Sequence, residues 1–210
     1  MNSQDIAYWQ SRPITDDHRD WKNKKENWVE DYWASWNHPH RKIIIEELKK
    51  LPKFNTLLEI GCNCGPNLSN IKLEFNGVNL FGIDANPDAV KLAQEKLTND
   101  DIRVGDFSTL PWFDKSMNVV ISDAALMYIH PTNLQQTLRE LVRVGIGHLL
   151  LIERQPTGTQ SELTNAVWAH PFEQIFKGMG YQVEARKLTE EEWPDSENWK
   201  KYGHVIKVTL

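Results

Sequence analysis

The stretch LLEIGCNCGPNL, residues 57–68, decides the predicted fold and its ligand. An apolar, strand-like run at 56–60 ends at Gly61, and a second glycine, Gly65, follows shortly after it. Glycine adopts backbone conformations that other residues avoid, so a strand can turn sharply into a helix here and leave N–H groups facing a ligand. Asp84 ends the next strand-like run, where a carboxylate can bind both hydroxyls of a ribose. A glycine-rich turn followed by this acid predicts a nucleotide-type cofactor.

The two cysteines of the same stretch, Cys62 and Cys64, raise the alternative of a metal site. They are the only cysteines of the chain, and a Cys-x-Cys pair supplies at most half of a tetrahedral zinc site. His38 and His40 complete that ligand set only on paper, because they lie 22 residues away at no recognised spacing. We therefore expect no metal. The cysteines are interpreted as small residues in a tight turn, too close in sequence for an easy disulfide.

Strand-like and helix-like segments alternate after residue 40. The strand-like runs are TLLEI (56–60), NLFGID (79–84), IRVGD (102–106), MNVVISD (117–123) and HLLLIER (148–154). The helix-like segments are GPNLSNIKLEF (65–75), PDAVKLAQEKL (87–97) and PTNLQQTLRELVRV (131–144). This alternation predicts an α/β fold with a doubly wound, mostly parallel sheet that is covered on both faces.

The C-terminal tail supplies the last two strands of a predicted seven-stranded sheet. GYQVEARKL (180–188) and GHVIKVTL (203–210) are strand-like with no helix predicted between them, so we expect them to pair antiparallel as an edge hairpin. The chain shows no internal repeat, linker or low-complexity segment. Residues 41–210 are therefore predicted to form one domain, and residues 1–40 a tryptophan-rich, helical N-terminal extension that covers it.

Composition and charge restrict the possible function classes. Hydrophobic residues make up 40% and charged residues 25% of the chain, and no run of about 18 apolar residues is long enough to span a membrane. The polar, acidic start has no apolar core of a signal peptide, so we expect a cytoplasmic protein. The formal net charge is −5 and no basic patch is visible, which argues against nucleic acid as a partner. The oligomeric state stays open.

Three stretches, in the expected order and spacing, resemble the class I S-adenosylmethionine-dependent methyltransferases. LLEIGCNCGPNL (57–68) resembles their first motif, E/D-x-G-x-G-x-G, with Asn63 in place of the middle glycine. LFGIDANPDAVKLAQEKL (80–97) resembles their second strand and helix, and IRVGDFSTLPWFDKSMNVVISDAALMYIH (102–130) resembles their adenine-binding loop and fourth strand. The resemblance covers residues 41–154 and implies a Rossmann-like fold with S-adenosylmethionine as cofactor. Asparagine accepts a positive φ most readily among the non-glycine residues, so the turn can form.

The resemblance assigns nine residues to the cofactor: Glu59, Gly61, Asn63, Gly65, Asp84, Asn86, Asp106, Phe107 and Ser122. In the family, the residue that matches Glu59 lies under the turn and orders the methionine end of the cofactor. The turn itself wraps that same end. Ser122, at the end of the fourth strand, is implied to present its backbone near the methionine.

The remaining implied contacts concern the ribose and the adenine. Asp84 takes the ribose diol, and Asn86 lies near the adenine edge. Asp106 matches the position that accepts from the adenine amino group, and Phe107 offers an apolar wall. Structural alternatives stay open, since Glu59 and Asp106 also suit carboxylates that cap turns, and Phe107 also suits a core residue.

The segment SDAALMYIHP (122–131) supplies the candidate catalytic groups, because it follows the fourth strand at the edge of the sheet where ligands bind. The cofactor carries the reactive methyl group, so a base is needed only when the acceptor arrives protonated. Asp123, Tyr128 and His130 are the candidates. His130 precedes a proline, and the same pair recurs twice elsewhere, so it also fits a residue that flanks a helix start.

Nine tryptophans, five of them within the first 36 residues, distinguish the N-terminal extension. Its aromatic stripe, spaced seven, four and four residues apart on one predicted helical face, consists of Trp21, Trp28, Tyr32 and Trp36. This face either packs the helix on the sheet domain or belongs to a lid over the cofactor. In the lid interpretation, the residues that face the acceptor are Trp9, Trp33, His38, Trp193 and Trp199.

The acidic balance and the aromatic cover predict a small-molecule acceptor that is methylated on oxygen or nitrogen. Two alternatives stay open: an RNA or protein methyltransferase, and a non-catalytic protein that binds the cofactor. DNA base methylation is not expected, because the fourth strand lacks the Asp/Asn-Pro-Pro-aromatic motif and no Pro-Cys pair exists. A nicotinamide enzyme requires G-x-G-x-x-G, which GCNCGP (61–66) does not fit.

Overall fold

The structure, a computed structural model, describes residues 3–12, 15–19, 25–164 and 167–210. The N-terminal elements are α1 (Ser3–Ser11), β1 (Thr15–Arg19), β2 (Lys25–Asn27), α2 (Trp28–Ala34) and α3 (Pro39–Lys49). The central elements are β3 (Thr56–Ile60), α4 (Pro66–Glu74), β4 (Asn79–Asp84), α5 (Pro87–Lys96), β5 (Asp101–Val104), β6 (Met117–Asp123), α6 (Pro131–Val144) and β7 (Gly145–Arg154). The C-terminal elements are β8 (Glu162–Thr164), β9 (Val167–Ala169), α7 (Phe172–Gly178), β10 (Gln182–Lys187), α8 (Glu197–Tyr202) and β11 (Gly203–Thr209).

Seven strands form one sheet in the order β10-β11-β7-β6-β3-β4-β5. β11 is antiparallel to both of its neighbours, and every other neighbouring pair is parallel. The predicted doubly wound sheet with an antiparallel C-terminal edge hairpin is confirmed. From β3 the chain builds outward through β4 and β5 and then returns to β6 on the other side of β3. This reversal of strand order opens a crevice at the carboxyl ends of β3 and β6, where ligands bind in open α/β sheets.

Each face of the sheet carries its own apolar core. Leu57 of β3 packs in one core with residues of α3, α4 and α5, and its neighbour Leu58 packs in the other with residues of α6 and α7. Consecutive side chains of a strand point to opposite faces, so one apolar run serves both layers. This arrangement explains why the central strands are apolar without alternation.

The N-terminal extension differs from the single amphipathic helix that the aromatic spacing predicts. β1 and β2 pair as an antiparallel hairpin, and α2 is only 7 residues long. After a short 3-10 turn at Ser35–Asn37, α3 begins afresh at Pro39. Proline disfavours helical backbone in the residue that precedes it, so His38 is extended and caps α3 instead of continuing α2.

The predicted aromatic stripe is consequently interrupted. Trp28 and Tyr32 lie one turn apart on α2, with ring centroids 6.3 Å apart. Trp36 lies beyond the end of α2, and its ring stacks on Trp33 rather than joining the stripe. Trp21 lies outside the described residues. The prediction of one helical face that extends across the whole segment was therefore wrong.

The segment between β7 and β10 contains structure that the sequence pattern did not predict. β8 and β9 form a second small hairpin, and α7 packs against the sheet. A short helix, α8, also lies between β10 and β11, where no helix was predicted; Ser196 caps it. No helix in the described ranges is long and apolar enough to cross a membrane.

The turn after β3 has the left-handed backbone that its sequence predicts. Gly61 has φ +73°, Asn63 has φ +48° and Gly65 has φ +82°. Gly61 is also constrained by space, because a Cβ added there would overlap the Cβ of Ala125. The middle position of the turn therefore tolerates asparagine, which accepts a positive φ, whereas position 61 has no space for a side chain.

We predict that Gly61→Ala lowers the free energy of unfolding by about 2–4 kcal/mol, because left-handed strain and a steric clash with Ala125 add together. Gly77→Ala is the matched control: φ at Gly77 is +82° and nothing described lies within 4 Å of the added Cβ. Its cost is about 1 kcal/mol, from backbone strain alone. Urea unfolding of both variants measures the difference. Equal losses of stability contradict the close approach of the turn to Ala125.

Candidate active site

A cavity of about 350 Å³ lies at the carboxyl ends of β3, β4 and β6, at the crevice that the strand order creates. Its walls come from the N-terminal segment, the glycine-rich turn, the segment after β6 and the connection between β10 and β11. The principal lining residues are Trp9, Tyr32, His38, His40, Arg41, Glu59, Gly61, Asn63, Asn67, Asp84, Phe107, Asp123, Tyr128, Trp193 and Trp199.

Asp84, at the end of β4, borders the cavity and forms hydrogen bonds with two loops. Its Oδ2 accepts a hydrogen bond from the backbone N–H of Asn63, and its Oδ1 accepts one from that of Asn86, both at 2.9 Å. Burial raises the pKa of Asp84, against the opposing effect of these backbone donors. Each carboxylate oxygen has two lone pairs, so acceptor capacity remains for ligand hydroxyls.

Two further carboxylates, Glu59 and Asp123, are joined under the turn by one amide. Asn67 Nδ2 donates to Glu59 Oε1 at 2.8 Å and to Asp123 Oδ2 at 2.9 Å. Within the described residues, the buried Oε2 of Glu59 and Oδ1 of Asp123 have no hydrogen-bond partner. Burial raises the pKa of Glu59 to about 8, so this acid is mostly protonated at neutral pH. The pair is an incompletely satisfied acidic site.

Side chains of α3 help to keep Asp123 ionised. His40 Nε2 lies 3.1 Å from Asp123 Oδ2, and Arg41 Nη1 lies 3.9 Å from the same oxygen. Burial alone raises the pKa of Asp123, but His40, Arg41 and the Asn67 amide outweigh it and hold the pKa at about 2. Arg41 is itself fixed by Ser35, whose carbonyl accepts from Nε at 3.1 Å.

Glu153 on β7 supports the segment that follows β6. Its Oε1 accepts from Ser122 Oγ and from the backbone N–H groups of Ala125 and Leu126, all at 2.8 Å. The side chain is fully buried, and burial raises its pKa to about 7. Glu153 thereby holds the turn at Ala124, which has φ +55°, against the cavity.

A column of stacked side chains forms one wall. Trp193 stacks on His40 with ring centroids 4.3 Å apart and on Trp199 at 3.7 Å. The guanidinium of Arg154 lies over Trp199 at 5.2 Å. Because neighbours cover the faces of both indoles, the two rings present their edges to the cavity. On the opposite side, Trp9 meets Tyr128 edge-on at 4.7 Å.

The residues that were predicted to face the methyl acceptor divide into two groups. Trp9, His38, Trp193 and Trp199 line the cavity, whereas Trp33 does not. Trp33 faces away on α2, stacked on a second indole and covered by Lys96, whose Nζ lies 4.5 Å from the ring.

The candidate catalytic residues also divide. Asp123 and Tyr128 line the cavity, and burial raises the pKa of Tyr128, so it is a hydroxyl donor at neutral pH. His130 does not line the cavity. It caps α6, and its Nδ1 accepts from the backbone N–H of Thr132 at 3.3 Å. The structure therefore gives His130 the helix-start role that the following proline also indicated.

Five of the nine candidate cofactor residues line the cavity: Glu59, Gly61, Asn63, Asp84 and Phe107. The other four, Gly65, Asn86, Asp106 and Ser122, do not line it. Gly65 opens α4, and a Cβ there lies 3.2 Å from Ala93. Asp106 Oδ1 accepts from the backbone N–H of Ser108 at 2.6 Å, which is the turn-capping role left open above.

Asn86 connects the N-terminal segment to the sheet domain. Its Oδ1 accepts from Ala89 N–H at 2.9 Å and caps α5. Its Nδ2 donates to the backbone carbonyls of Trp9 and Arg12, both at 2.8 Å. The side chain therefore holds the end of α1 at the cavity, where Trp9 forms part of the wall.

Sequence reasoning missed Asn67, Arg41 and Glu153, and weighed His40 only as a metal ligand. The available signal was the pair His40-Arg41 directly after a His-Pro helix start, which puts an imidazole and a guanidinium on the first turn of α3. Among the residues that the structure describes, no three His, Cys, Asp or Glu side chains group as metal ligands. Both cysteines are buried free thiols, and burial raises their pKa values.

The fold agrees with what the chain resembles. The family model "Methyltransferase domain" matches residues 57–145. An uncharacterised methyltransferase of Schizosaccharomyces pombe is 28% identical over 159 residues, which span 67% of this chain and 58% of that protein's length.

Solved structures share the fold at low sequence identity. A Leishmania major S-adenosylmethionine-dependent methyltransferase superposes with a TM-score of 0.72 at 10% identity, over 99% of this chain and 82% of that one. Haemonchus contortus phosphoethanolamine N-methyltransferase 1, solved with phosphoethanolamine and S-adenosylhomocysteine, gives 0.60 at 14% identity, over 84% of this chain and 43% of that one. Residues 57–145 of this chain therefore match a methyltransferase domain, and the chain shares its Rossmann-like fold with solved S-adenosylmethionine-dependent methyltransferases.

Proposed function

We propose that this cavity binds S-adenosylmethionine and that the chain transfers its methyl group to oxygen or nitrogen of a small-molecule acceptor. The observation that carries the proposal is the acidic site under the turn. Glu59 and Asp123 each keep a buried oxygen without a partner among the described residues. A carboxylate in that situation is costly unless a cation or donor reaches it, and the ammonium of the methionine end is such a group.

The other lining residues fit the remaining parts of this cofactor. Asp84 has acceptor capacity for the ribose hydroxyls. Phe107 is 7% exposed and gives an apolar wall for a flat ring. Arg41 uses three of its five N–H groups on Ser35 and Asn67, which leaves two donors for a carboxylate. When bound, the cofactor supplies an electrophilic methyl group on a sulfonium sulfur.

The residues of this chain contribute orientation and exclusion of water. The Asn86 amide holds α1 at the cavity, so Trp9 limits access to it from one side. Tyr128 lies beside Trp9 and offers a hydroxyl donor to an acceptor. Holding an acceptor in line with the methyl group lowers the activation free energy by several kcal/mol, because the acceptor has already lost its orientational freedom on binding.

The shape of the site supports a small acceptor. Aromatic side chains of the N-terminal segment and of the connection between β10 and β11, among them Trp9, Trp193 and Trp199, line the cavity and restrict the space beside the proposed cofactor. The net charge of −5 offers no electrostatic attraction for a nucleic acid backbone. Phosphoethanolamine, in the Haemonchus contortus structure, is an example of a small molecule in a protein with this fold.

Labelled cofactor tests the nature of the acceptor. The protein is incubated with S-adenosylmethionine carrying a labelled methyl group and a cell extract, and the products are separated by size. We predict label in the small-molecule fraction, and none with an Asp84→Ala variant that cannot bind the ribose. Label confined to RNA or protein supports a macromolecular acceptor instead. Binding of the cofactor without any labelled product supports a non-catalytic protein.

A substitution at Asn86 tests the N-terminal cover. Asn86→Ser keeps a good helix cap for α5 but removes both donors to α1. We predict that backbone amides in the last turn of α1 exchange with solvent about 10- to 100-fold faster, since two hydrogen bonds are lost. The same variant should also form less of the labelled small-molecule product.

The matched control for this experiment is Asn27→Ser. Asn27 caps α2 through Oδ1, which accepts from Glu30 N–H at 3.3 Å, so the same substitution is made at a second helix start. Hydrogen exchange by mass spectrometry compares the two variants at α1. Equal protection of α1 in both variants contradicts the role assigned to Asn86.

A further inference from the structure

Arg154, the last residue of β7, carries a buried charge that no described residue neutralises. The residue is 8% exposed. Among the described residues, its guanidinium makes one hydrogen bond, from Nη1 to the hydroxyl of Thr164 at 3.4 Å, and its buried Nε has no partner. Four of its five N–H groups are therefore not engaged by these residues. A buried cation without a counter-ion is costly, so the arrangement points to a partner that binds.

The neighbouring acid, Glu153, is not that partner. Successive side chains of a strand point to opposite faces of the sheet, so the side chains of Glu153 and Arg154 diverge. Glu153 Oε1 is used by the segment after β6, where it accepts from Ser122 Oγ and from two backbone N–H groups. Within the described part of the chain, no carboxylate forms an ion pair with Arg154.

The position of Arg154 on the sheet brings it to the ligand-binding edge. β6 and β7 are parallel, and Asp123, which lines the cavity, pairs with Ile152. Arg154 therefore lies two residues, about 7 Å, further out on the strand next to Asp123. It shares the face of Ile152, which packs in the same core as Trp199 and Tyr128.

Two cavity-lining side chains separate Arg154 from the cavity. Its Cζ lies 5.2 Å from the ring centroid of Trp199. Arg154 also acts on the hydroxyl of Tyr128: burial raises the pKa of Tyr128, and among the opposing influences Arg154 is the largest. The guanidinium thus lies directly behind the part of the wall that Trp199 and Tyr128 form.

We propose that Arg154 binds an anionic group of the methyl acceptor, which enters between Trp199 and Tyr128. The acceptor is then a small molecule that carries a carboxylate or a phosphate besides the atom that is methylated. This inference rests on the proposed methyl transfer. It adds a residue that determines specificity, and it narrows the chemical class of the acceptor.

An anion explains the arrangement better than a purely structural role. A guanidinium over an indole gains a cation–π attraction, but an apolar side chain of similar length packs there without the cost of a buried charge. Carboxylates and phosphates match the planar fork of a guanidinium. Their charge-assisted hydrogen bonds are shorter and stronger than the single contact with Thr164.

The carboxylate of the proposed cofactor has a nearer cation. The ammonium and the carboxylate of its methionine end are attached to one carbon atom, so both lie beside the acidic site of Glu59 and Asp123. Arg41 is at that place, with Nη1 3.9 Å from Asp123 Oδ2. Arg154 extends from the neighbouring strand, behind Tyr128, and is left for the acceptor.

The charge of the labelled product tests the acceptor class. The small-molecule fraction of the labelling experiment is passed over an anion-exchange resin at neutral pH, and we predict that the label is retained. Treatment with alkaline phosphatase distinguishes the two sources of charge, because only a phosphate monoester then loses retention. Label in a neutral or cationic product before this treatment overturns the proposal.

Matched variants test the residue in turnover. Arg154→Met removes the guanidinium from Trp199, and Arg103→Met removes one from Trp112, whose ring centroid lies 5.3 Å from Arg103 Cζ and which does not line the cavity. With the acceptor that the labelling experiment identifies, Arg154→Met should lower kcat/KM about 10- to 100-fold, mainly through KM. Arg154→Lys should restore part of the loss. Equal kcat/KM in the two methionine variants overturns the proposal.

Urea unfolding of the same variants separates binding from a structural role. A cation that waits for a ligand weakens the unliganded protein, so the unfolding midpoint of Arg154→Met should equal or exceed that of wild type. Arg103→Met, which breaks an ion pair with Asp101, should be slightly less stable than wild type. A clear loss of stability in Arg154→Met with unchanged kcat/KM makes Arg154 a support for Trp199 and overturns the proposal.

Calorimetry with S-adenosylhomocysteine separates this inference from the function on which it rests. We predict equal affinity for wild type and Arg154→Met. If the ligand does not bind wild type, the proposed function fails. If it binds wild type but binds Arg154→Met more than about 10-fold more weakly, Arg154 holds the cofactor, and only the inference about the acceptor fails.

Discussion

The rest of the site depends on one amide: Asn67, at the start of α4, holds the carboxylates of Glu59 and Asp123 together under the glycine-rich turn. Two buried acids this close cannot both ionise cheaply. The protein resolves the conflict unequally, because burial raises the pKa of Glu59 whereas contacts with His40, Arg41 and the Asn67 amide hold that of Asp123 low. Folding therefore binds a proton at Glu59, so its contribution makes the protein less stable as the pH rises towards 8. An acidic site with unpartnered buried oxygens suits a positive group, such as the ammonium of the proposed cofactor.

The central sheet could be predicted from the sequence because its strands and helices are local patterns. Each of the first strands is an apolar run bounded by glycines or polar turns, and the helices between them have their own start signals. The N-terminal segment could not be predicted, because aromatic residues spaced seven, four and four residues apart fit one helical face whether or not the helix is continuous. Pro39 sets the break, and the hairpin of β1 and β2 adds a turn that has no strong signal in the sequence.

The site could be predicted only in part, for a related reason. The position of Asp84 at the cavity could be predicted because it ends a strand. Asn67, His40 and Arg41 were not, because they acquire a role only where the first turns of α3 and α4 meet the end of β6. Conversely, Asn86, Asp106 and His130 suit ligand contacts by residue type, but each is engaged by a nearby backbone N–H. Local capping competes for such short polar side chains.

Proton release on cofactor binding tests the central claim most directly. S-adenosylhomocysteine is titrated at pH 7 by calorimetry in buffers of different ionisation enthalpy, with wild type and Glu59→Gln. If the ligand ammonium meets the carboxyl of Glu59, its pKa of about 8 falls and wild type releases about one proton more than Glu59→Gln. Binding with the same proton count in both proteins, or no binding to wild type, contradicts the account.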